Sequence, residues 1–192
     1  MSEAAALQPS FEIDRVAVIG AGVAGRRFAL ACAGAGFRVV LEDVMPANLR
    51  KAEAEYAEFS RGMRVGSLEL ALTVEDAVRE ADVAVDFVPD ELESKLEIFS
   101  MIDRMAPPRT ILCTPSYALS ITDLASCVYR PERCVAVRGD LVHDGGTVQL
   151  LYPAAASGST LTAMETFLRA LRLEVQREPD PDVPVLLKNA VG

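Results

Sequence analysis

The sequence is poor in residue types that carry catalytic or metal-binding chemistry. It has no tryptophan, one histidine (His143) and four cysteines, Cys32, Cys113, Cys127 and Cys134, with no C-x-x-C pair among them. Cys127 and Cys134 could in principle be bridged, but lone cysteines in apolar surroundings usually behave as small hydrophobic residues. We therefore expect no metal site. Histidine alone titrates near neutral pH when unperturbed, which makes His143 the first candidate for a catalytic base.

Long apolar runs and excess positive charge are also missing. No stretch reaches the roughly 18 uncharged apolar residues of a membrane span, and the N-terminus, MSEAAALQPSFEID, lacks the basic and apolar regions of a signal peptide. The net charge of −9 would repel nucleic acid and anionic lipid. We expect a cytoplasmic protein without nucleic-acid or membrane partners.

Apolar residues are abundant, at 51% of 192 residues, which suits one well-filled domain. We expect a mobile arm over residues 1–13 and a single domain over 14–192. Short apolar runs alternate with helical segments, and this pattern predicts an α/β fold with a Rossmann-type, doubly wound, mostly parallel sheet. Strands are predicted at 15–20, 37–43, 82–89, 110–115, 134–139, 147–153 and 173–178, with a further short strand within 61–72. Helices are predicted at 26–36, 46–60, 73–81, 91–106, 120–126 and 157–172, with Thr73 and either Ser120 or Thr122 as N-caps.

A glycine-rich turn joins the first predicted strand to the first helix. Gly20, Gly22 and Gly25 form G-x-G-x-x-G, and the second strand ends at Asp43, 18 residues beyond Gly25. This context is the one a dinucleotide-binding motif requires: a tight turn, a close backbone approach to pyrophosphate, and tight packing of helix on strand. Asp43 would accept hydrogen bonds from the ribose and repel a 2′-phosphate, which predicts NAD rather than NADP. The alternative is that the glycines only pack a helix on a strand.

Three segments resemble the NAD-binding domain of the 3-hydroxyacyl-CoA dehydrogenases: RVAVIGAGVAGRRFALACAGAGFRVVLED, ADVAVDFVPDELESKLEIFSMIDRMAPPRTIL and LSITDLASCVYRPERCVAV. The resemblance covers roughly residues 14 to 190. It implies NAD as the cofactor, with Asp90 and Lys95 standing where the family has a cofactor-contacting Glu and Lys. The candidate cofactor contacts are Gly20, Gly22, Val23, Gly25, Asp43, Asp90 and Lys95.

The resemblance fails where the family carries its chemistry. That chemistry is oxidation of a 3-hydroxyacyl thioester, in which a base takes the alcohol proton as hydride passes to the nicotinamide. Arg138 stands in place of the catalytic histidine, and a guanidinium cannot act as a base. The glutamate that orients the histidine falls near Gln149 or Leu150, and Pro115 and Tyr117 replace the family's Asn and substrate-facing Ser. Three missing features together indicate lost or altered chemistry.

Each remaining candidate has two interpretations. His143 lies in the turn sequence HDGG and is best explained as a solvated turn residue, because aligning it with the base breaks the match of CVAV to its strand. Arg138 either holds an anion, such as a carboxylate or the phosphates of a CoA-like ligand, or faces solvent. Tyr117 either donates a proton, activated by Lys95, or fills space.

Two functional hypotheses follow. The first is an NAD-dependent oxidoreductase with altered residues or an altered small-molecule substrate, for example an acyl-CoA of fatty acid metabolism. The second is a non-catalytic NAD-binding or assembly module. The resemblance ends before the family's helical domain, so we expect exposed apolar surface and self-association as a homodimer.

Overall fold

The structure is a computed structural model that describes residues 11–143 and 145–180. The described residues form one eight-stranded sheet with helices on both faces. The strands are β1 (Arg15–Ile19), β2 (Arg38–Glu42), β3 (Ser67–Ala71), β4 (Val83–Asp86), β5 (Ile111–Pro115), β6 (Cys134–Arg138), β7 (Thr147–Tyr152) and β8 (Glu174–Pro179). The helices are α1 (Val23–Gly34), α2 (Pro46–Phe59), α3 (Val74–Val78), α4 (Leu92–Met105), α5 (Ile121–Ala125) and α6 (Gly158–Ala170), and a 3-10 turn spans Pro131–Arg133.

The sheet order is β3-β2-β1-β4-β5-β6-β7-β8, which confirms the predicted doubly wound, mostly parallel sheet. The chain winds outward from β1 in one direction and from β4 in the other, so the order reverses between these two strands. In such sheets ligands bind outside the carboxyl ends of the strands at this reversal. Strand β7 runs antiparallel to β6, because a loop rather than a crossover helix joins them, and β8 is parallel to β7.

The core has two layers, one on each face of the sheet. On one face Phe28 of α1 and Phe167 of α6 pack ring against ring, with centroids 6.4 Å apart. On the other face Phe99 and Ile102 of α4 and Ile121 of α5 are fully buried. Strands covered on both faces are apolar on both, which explains the continuous apolar runs that predicted them.

Helix starts are set largely as the sequence predicts. The hydroxyls of Thr73, Ser120 and Ser157 each accept a hydrogen bond from the backbone N–H three residues later, at 3.2, 3.3 and 3.1 Å. Ser120, rather than Thr122, is therefore the N-cap of α5. Helix α1 begins at Val23, three residues before its predicted start, because the glycine turn is tighter than the apolar pattern indicated.

Phe11 and Ile13, which precede the predicted start of the domain at residue 14, pack against its core. Ile13 is buried in the core and the guanidinium of Arg133 lies 5.6 Å from the centre of the Phe11 ring. Residues 1–10 of the predicted arm and residues 181–192 of the predicted domain lie outside the described residues. Within the described part of the chain, no helix has the length and apolar character to cross a membrane.

Candidate functional site

The glycine turn brings β1 and α1 into direct contact. Gly20 has φ +99°, a conformation that favours glycine, and a Cβ there would lie 3.3 Å from the Phe87 carbonyl. A Cβ on Gly25 would lie 1.9 Å from the Gly20 carbonyl oxygen, so only glycine fits. A Cβ on Gly22 would meet nothing within 4 Å. Gly22 therefore faces open space, while its two neighbours in the motif hold the turn.

The N-terminus of α1 has the features of an anion cradle. The N-cap residue is Gly22, and no side chain caps this helix, although hydroxyls cap α3, α5 and α6. The first amides of a helix have no partner within the helix and carry the positive end of its dipole. With the open face of Gly22 beside them, these amides fit a pyrophosphate, and a side chain at position 22 would fill the cradle.

The Asp43 carboxylate is tied to the glycine turn. Its Oδ2 accepts hydrogen bonds from the Ala21 N–H at 2.8 Å and the Asn48 amide at 3.1 Å, and its Oδ1 accepts from the Met45 N–H at 2.7 Å. Asp43 is only 9% exposed. A carboxylate has about four acceptor positions, so three are used and one is left for a ribose hydroxyl.

A second acid, Glu42, is buried next to Asp43. Glu42 is not among the site residues predicted from the sequence. Burial, and then the neighbouring charge of Asp43, raises the pKa of Glu42. The signal for it was present, because Glu42 is a charged residue that directly follows the apolar run VVL of the same strand. The two acids make this edge of the sheet negative, which disfavours a further phosphate on the ribose.

The Lys95 side chain points into the protein and pairs with Asp86, which is not among the site residues predicted from the sequence. Its Nζ lies 2.6 Å from Asp86 Oδ1, with both side chains almost completely buried, and it also donates to the Pro115 carbonyl at 3.3 Å. Burial raises the pKa of Asp86, and the charge of Lys95 opposes that shift. An Asp at the end of the otherwise apolar strand VAVD was the available signal. The resemblance places Lys95 at the cofactor, whereas its ammonium group here joins α4 to β4 and β5.

Asp90 holds the loop that follows β5. The Ser116 hydroxyl donates to Asp90 Oδ1 at 2.6 Å, and the Tyr117 N–H donates to Oδ2 at 3.1 Å. The Ser116 hydroxyl also accepts from the Leu119 N–H at 3.0 Å. These bonds set the course of residues 116–119 at the carboxyl edge of the sheet.

Arg138 ends β6 at the same edge. Its Nε donates to the Ser116 carbonyl at 3.3 Å and its Nη2 to the Leu119 carbonyl at 3.4 Å. Gln149 on β7 lies directly opposite Arg138, whereas Leu150 points to the other face and is completely buried. Of the two positions predicted for the orienting acid, only Gln149 shares a sheet face with Arg138. The Gln149 amide donates to Glu178 of β8 at 2.8 Å, an acid that was not predicted.

Tyr117 is linked to Arg138 through neighbouring residues, because it follows Ser116, whose carbonyl accepts a hydrogen bond from Arg138. Its side chain is exposed, and its hydroxyl donates to the Gly139 carbonyl at 3.2 Å. The ammonium of Lys95 has Asp86 and Pro115 as its partners, so the predicted activation of Tyr117 by Lys95 has no contact to support it. The ammonium of Lys95 pairs with Asp86, because a buried ammonium is stabilised by a buried carboxylate in contact with it.

His143 lies in the loop between β6 and β7, as the turn sequence indicated. Its Nδ1 pairs with Asp140, whose Oδ1 also accepts the N–H groups of Val142 and His143. The Val142 N–H and then the His143 ring lower the pKa of Asp140. His143 therefore belongs to an exposed turn closed by Asp140.

The four cysteines are free thiols, so Cys127 and Cys134 are not bridged. Cys32, Cys113 and Cys134 are buried, and Cys127 is exposed.

The reversal of strand order between β1 and β4, the glycine turn at α1 and the acid after β2 together define a Rossmann-type dinucleotide-binding domain. The chain belongs to the 3-hydroxyacyl-CoA dehydrogenase family: residues 15–138 match the model described as 3-hydroxyacyl-CoA dehydrogenase, NAD binding domain. NAD is accordingly the cofactor of this domain.

Individual relatives agree with this assignment. A protein of Bacillus subtilis named as a probable 3-hydroxybutyryl-CoA dehydrogenase is 31% identical over 139 residues, covering 66% of this chain and 48% of that protein. The 5-formyl-3-hydroxy-2-methylpyridine 4-carboxylate 5-dehydrogenase of Mesorhizobium japonicum is 26% identical over 190 residues, covering 93% and 61%. The crystal structure of a 3-hydroxyacyl-CoA dehydrogenase from Archaeoglobus fulgidus superposes with a TM-score of 0.76 at 28% identity, covering 92% and 60%. The chain thus spans about half to three fifths of these proteins.

Proposed function

We propose that this protein is an NAD(H)-dependent oxidoreductase that interconverts a hydroxyl and a keto group on a small organic substrate. The observation that carries the proposal is the open Gly22 face at the uncapped start of α1, next to Asp43. This cradle shares the carboxyl edge of the sheet with Tyr117 and Arg138. The cofactor contacts in the proposal are Gly20, Gly22, Val23, Gly25 and Asp43, while Asp90 and Lys95 act by holding the loop after β5.

The proposed chemistry uses the chain's own groups for the proton and for positioning. NAD, when bound, supplies the hydride acceptor. The Tyr117 hydroxyl exchanges a proton with the substrate oxygen, because it is exposed and lies at the carboxyl edge of the sheet. Arg138 stays protonated and takes no part as a base; it holds charge near the reacting group.

The substrate class is proposed from the family and its relatives. Their names include a 3-hydroxybutyryl-CoA and a pyridine carboxylate, so the related sites serve both acyl-CoA thioesters and free acids. We propose a 3-hydroxyacyl-CoA or a similar hydroxy acid for this chain.

A second candidate function is a non-catalytic NAD-binding or assembly module. Arg138 and Gln149 favour it, because they stand opposite each other at the positions where the resemblance expects a base and its orienting acid. Turnover separates the two candidates, since both require nucleotide binding and only the first requires reaction.

Nucleotide binding is tested by titrating NADH and NADPH into the protein by calorimetry. We expect NADH to bind, NADPH to bind at least about tenfold more weakly because of Asp43 and Glu42, and Gly22→Val to abolish binding of both. Gly158→Val is the matched control, because Gly158 also has open space around its Cβ position at the start of a helix. Absence of NADH binding at millimolar concentration would refute both candidate functions.

Turnover is tested by following reduction of NAD with 3-hydroxybutyryl-CoA and with 3-hydroxybutyrate. The oxidoreductase proposal expects activity that Tyr117→Phe abolishes and Tyr129→Phe preserves. Tyr129 is the control because it too is exposed, at 88%. NADH binding without turnover of either compound would favour the non-catalytic module.

We also propose that the protein works in the cytoplasm as a homodimer. Free thiols suit a reducing compartment, and exposed apolar side chains such as Val44, Met45 and Leu72 suit self-association. Sedimentation should give twice the chain mass of 20.6 kDa, and a monomeric mass would contradict the dimer.

A further inference from the structure

We infer that Arg138 is the receptor for a carboxylate on the substrate, so that the site takes a small anionic hydroxy or keto acid. This inference rests on the proposed function, because it assigns the substrate class of the same site. Neither the family match nor the relatives assign a role to an arginine at the end of β6.

The Arg138 guanidinium is a half-buried cation whose hydrogen-bonding capacity is largely unused. It has five N–H donors, and its two hydrogen bonds, to the carbonyls of Ser116 and Leu119, are long at 3.3 and 3.4 Å. Among the residues that the structure describes, no carboxylate pairs with it. A partly buried charge without a counter-ion is costly, and a bound anion would remove that cost.

Arg130 is a half-buried arginine whose partners all lie within the chain. Its Nε lies 2.7 Å from Asp103 Oδ1, and its Nη1 donates to the Pro107 carbonyl at 2.6 Å. Arg138 has neither a carboxylate nor a short bond. The difference points to a partner supplied from outside the chain.

The loop against which Arg138 lies does not need it as a clamp. Asp90 already holds the Ser116 hydroxyl and the Tyr117 N–H, and Lys95 holds the Pro115 carbonyl. Because the two bonds from the loop to Asp90 are shorter than those to Arg138, the guanidinium is available to bind a ligand.

In the described part of the chain, the acids on the residues around Arg138 have hydrogen-bond donors of their own. Gln149, directly opposite Arg138 on β7, donates its amide to Glu178 on β8, and Asp90 accepts from Ser116 and Tyr117. Two strand spacings separate the backbones of β6 and β8, about 10 Å. The Tyr117 hydroxyl donates to the carbonyl of Gly139, which is the residue after Arg138 in the chain.

Together these groups fit a short hydroxy or keto acid. A planar guanidinium binds a carboxylate through two parallel hydrogen bonds, and this geometry orients the ligand as well as holding it. The Tyr117 phenol, which bonds the residue after Arg138, would then meet a hydroxyl or keto oxygen a few bonds from the carboxylate. A neutral ester or thioester would lack the charged contact.

The test compares a keto acid with its uncharged ester. Acetoacetate and methyl acetoacetate are titrated into the full chain by calorimetry, each with and without saturating NADH. We expect acetoacetate to bind at least tenfold more tightly than the ester. Arg138→Gln should weaken acetoacetate binding at least tenfold, while the affinity for the ester stays unchanged and the affinity for NADH stays within twofold. Arg138→Lys should restore part of the lost acetoacetate affinity.

Arg104→Gln is the control, because Arg104 is an exposed arginine that donates to the Ser100 carbonyl on α4. Equal binding of acid and ester by the unmodified protein overturns the inference, whether or not the variants fold. So does an Arg138→Gln protein that binds acetoacetate as well as Arg104→Gln does.

The outcomes also separate this inference from the proposed function. If NADH binds but acetoacetate binds no better than its ester, the role of Arg138 as a carboxylate receptor is refuted and the proposed oxidoreductase is not. Binding of acetoacetate through Arg138 without any NADH binding supports the receptor and refutes the oxidoreductase.

Discussion

Lys95 Nζ lies 2.6 Å from Asp86 Oδ1, and the two side chains are 1% and 0% exposed. The pair joins the first turn of α4 to the end of β4, and a second contact of Lys95, to the Pro115 carbonyl, extends it to β5. It lies beneath the loop that carries Tyr117. The position of that loop therefore depends on the buried Lys95–Asp86 pair.

Breaking this pair from one side should be strongly destabilising. Lys95→Met leaves Asp86 buried without its counter-charge, and we expect a loss of about 3 to 5 kcal/mol in the free energy of unfolding. Denaturant titration measures it. The double variant Asp86→Asn with Lys95→Met should lose less than the single variant. Arg79→Met, which breaks an exposed pair with Asp76, should cost below about 1 kcal/mol; similar losses at both sites would contradict the role of burial.

The glycine motif should separate into structural and ligand-binding positions. Gly25→Ala forces a methyl group against the Gly20 carbonyl, and we expect a loss of about 1 to 3 kcal/mol in stability together with loss of NADH binding. The methyl group added by Gly22→Ala would lie in open space, so this variant should change the free energy of unfolding by less than about 0.5 kcal/mol while it weakens NADH binding. Thermal unfolding and NADH titration check both. An unchanged Gly25→Ala protein would show that α1 does not pack against the turn as described.

Glu42 should make stability depend on pH. Its pKa in the folded protein is raised, so the folded state holds this proton more tightly than the unfolded chain does. The stabilisation is complete below the pKa of the unfolded chain and is lost as pH rises through the folded pKa. Glu42→Gln cannot titrate, so its stability relative to the natural protein should increase as pH rises from the pKa of the unfolded chain through the raised folded pKa, and then level off.

Denaturant titrations at unit steps of pH measure this difference. Glu69→Gln, at an exposed position on β3, serves as the control. A Glu42→Gln difference that is constant with pH would mean that Glu42 ionises as it does in the unfolded chain.

The thiols should differ sharply in reactivity. Burial raises the pKa of Cys32, Cys113 and Cys134, and the thiolate is the reactive form, so these three should be inert in the folded protein. Cys127 is exposed. An aromatic disulfide reagent should modify one thiol rapidly in buffer and four in denaturant, and Cys127→Ser should remove the rapid phase. Rapid modification of a second thiol in buffer would show that at least one of the three buried cysteines is accessible to the reagent.

Local sequence patterns predicted most of the elements because each depends on neighbours along the chain. The apolar runs at 15–20 and 82–89 became β1 and β4, since strands covered on both faces need apolar residues throughout. The caps at Thr73 and Ser120 follow from side chains that bond their own helix. The start of α1 was placed too late, because its first turn is set by the glycine turn rather than by apolar periodicity.

The site was predicted less completely because its contacts join distant segments. Lys95 was assigned to the cofactor, since the sequence does not show that Asp86, nine residues earlier, faces the same interior. Gln149 and Leu150 were equal candidates to lie opposite Arg138, because a shift of one residue in a strand exchanges its two faces.

By itself, the sequence determined the glycine turn, the acid that follows β2, the alternation of strands and helices, and the cation at the position of a base. These are local or compositional features, and each residue carries its own chemistry wherever it lies. The tertiary structure decided the direction of β7, the pairing of Arg138 with Gln149, and the inward turn of Lys95. Those features depend on strand register and on which charges are buried together, and both are settled only when segments far apart in the chain pack against each other.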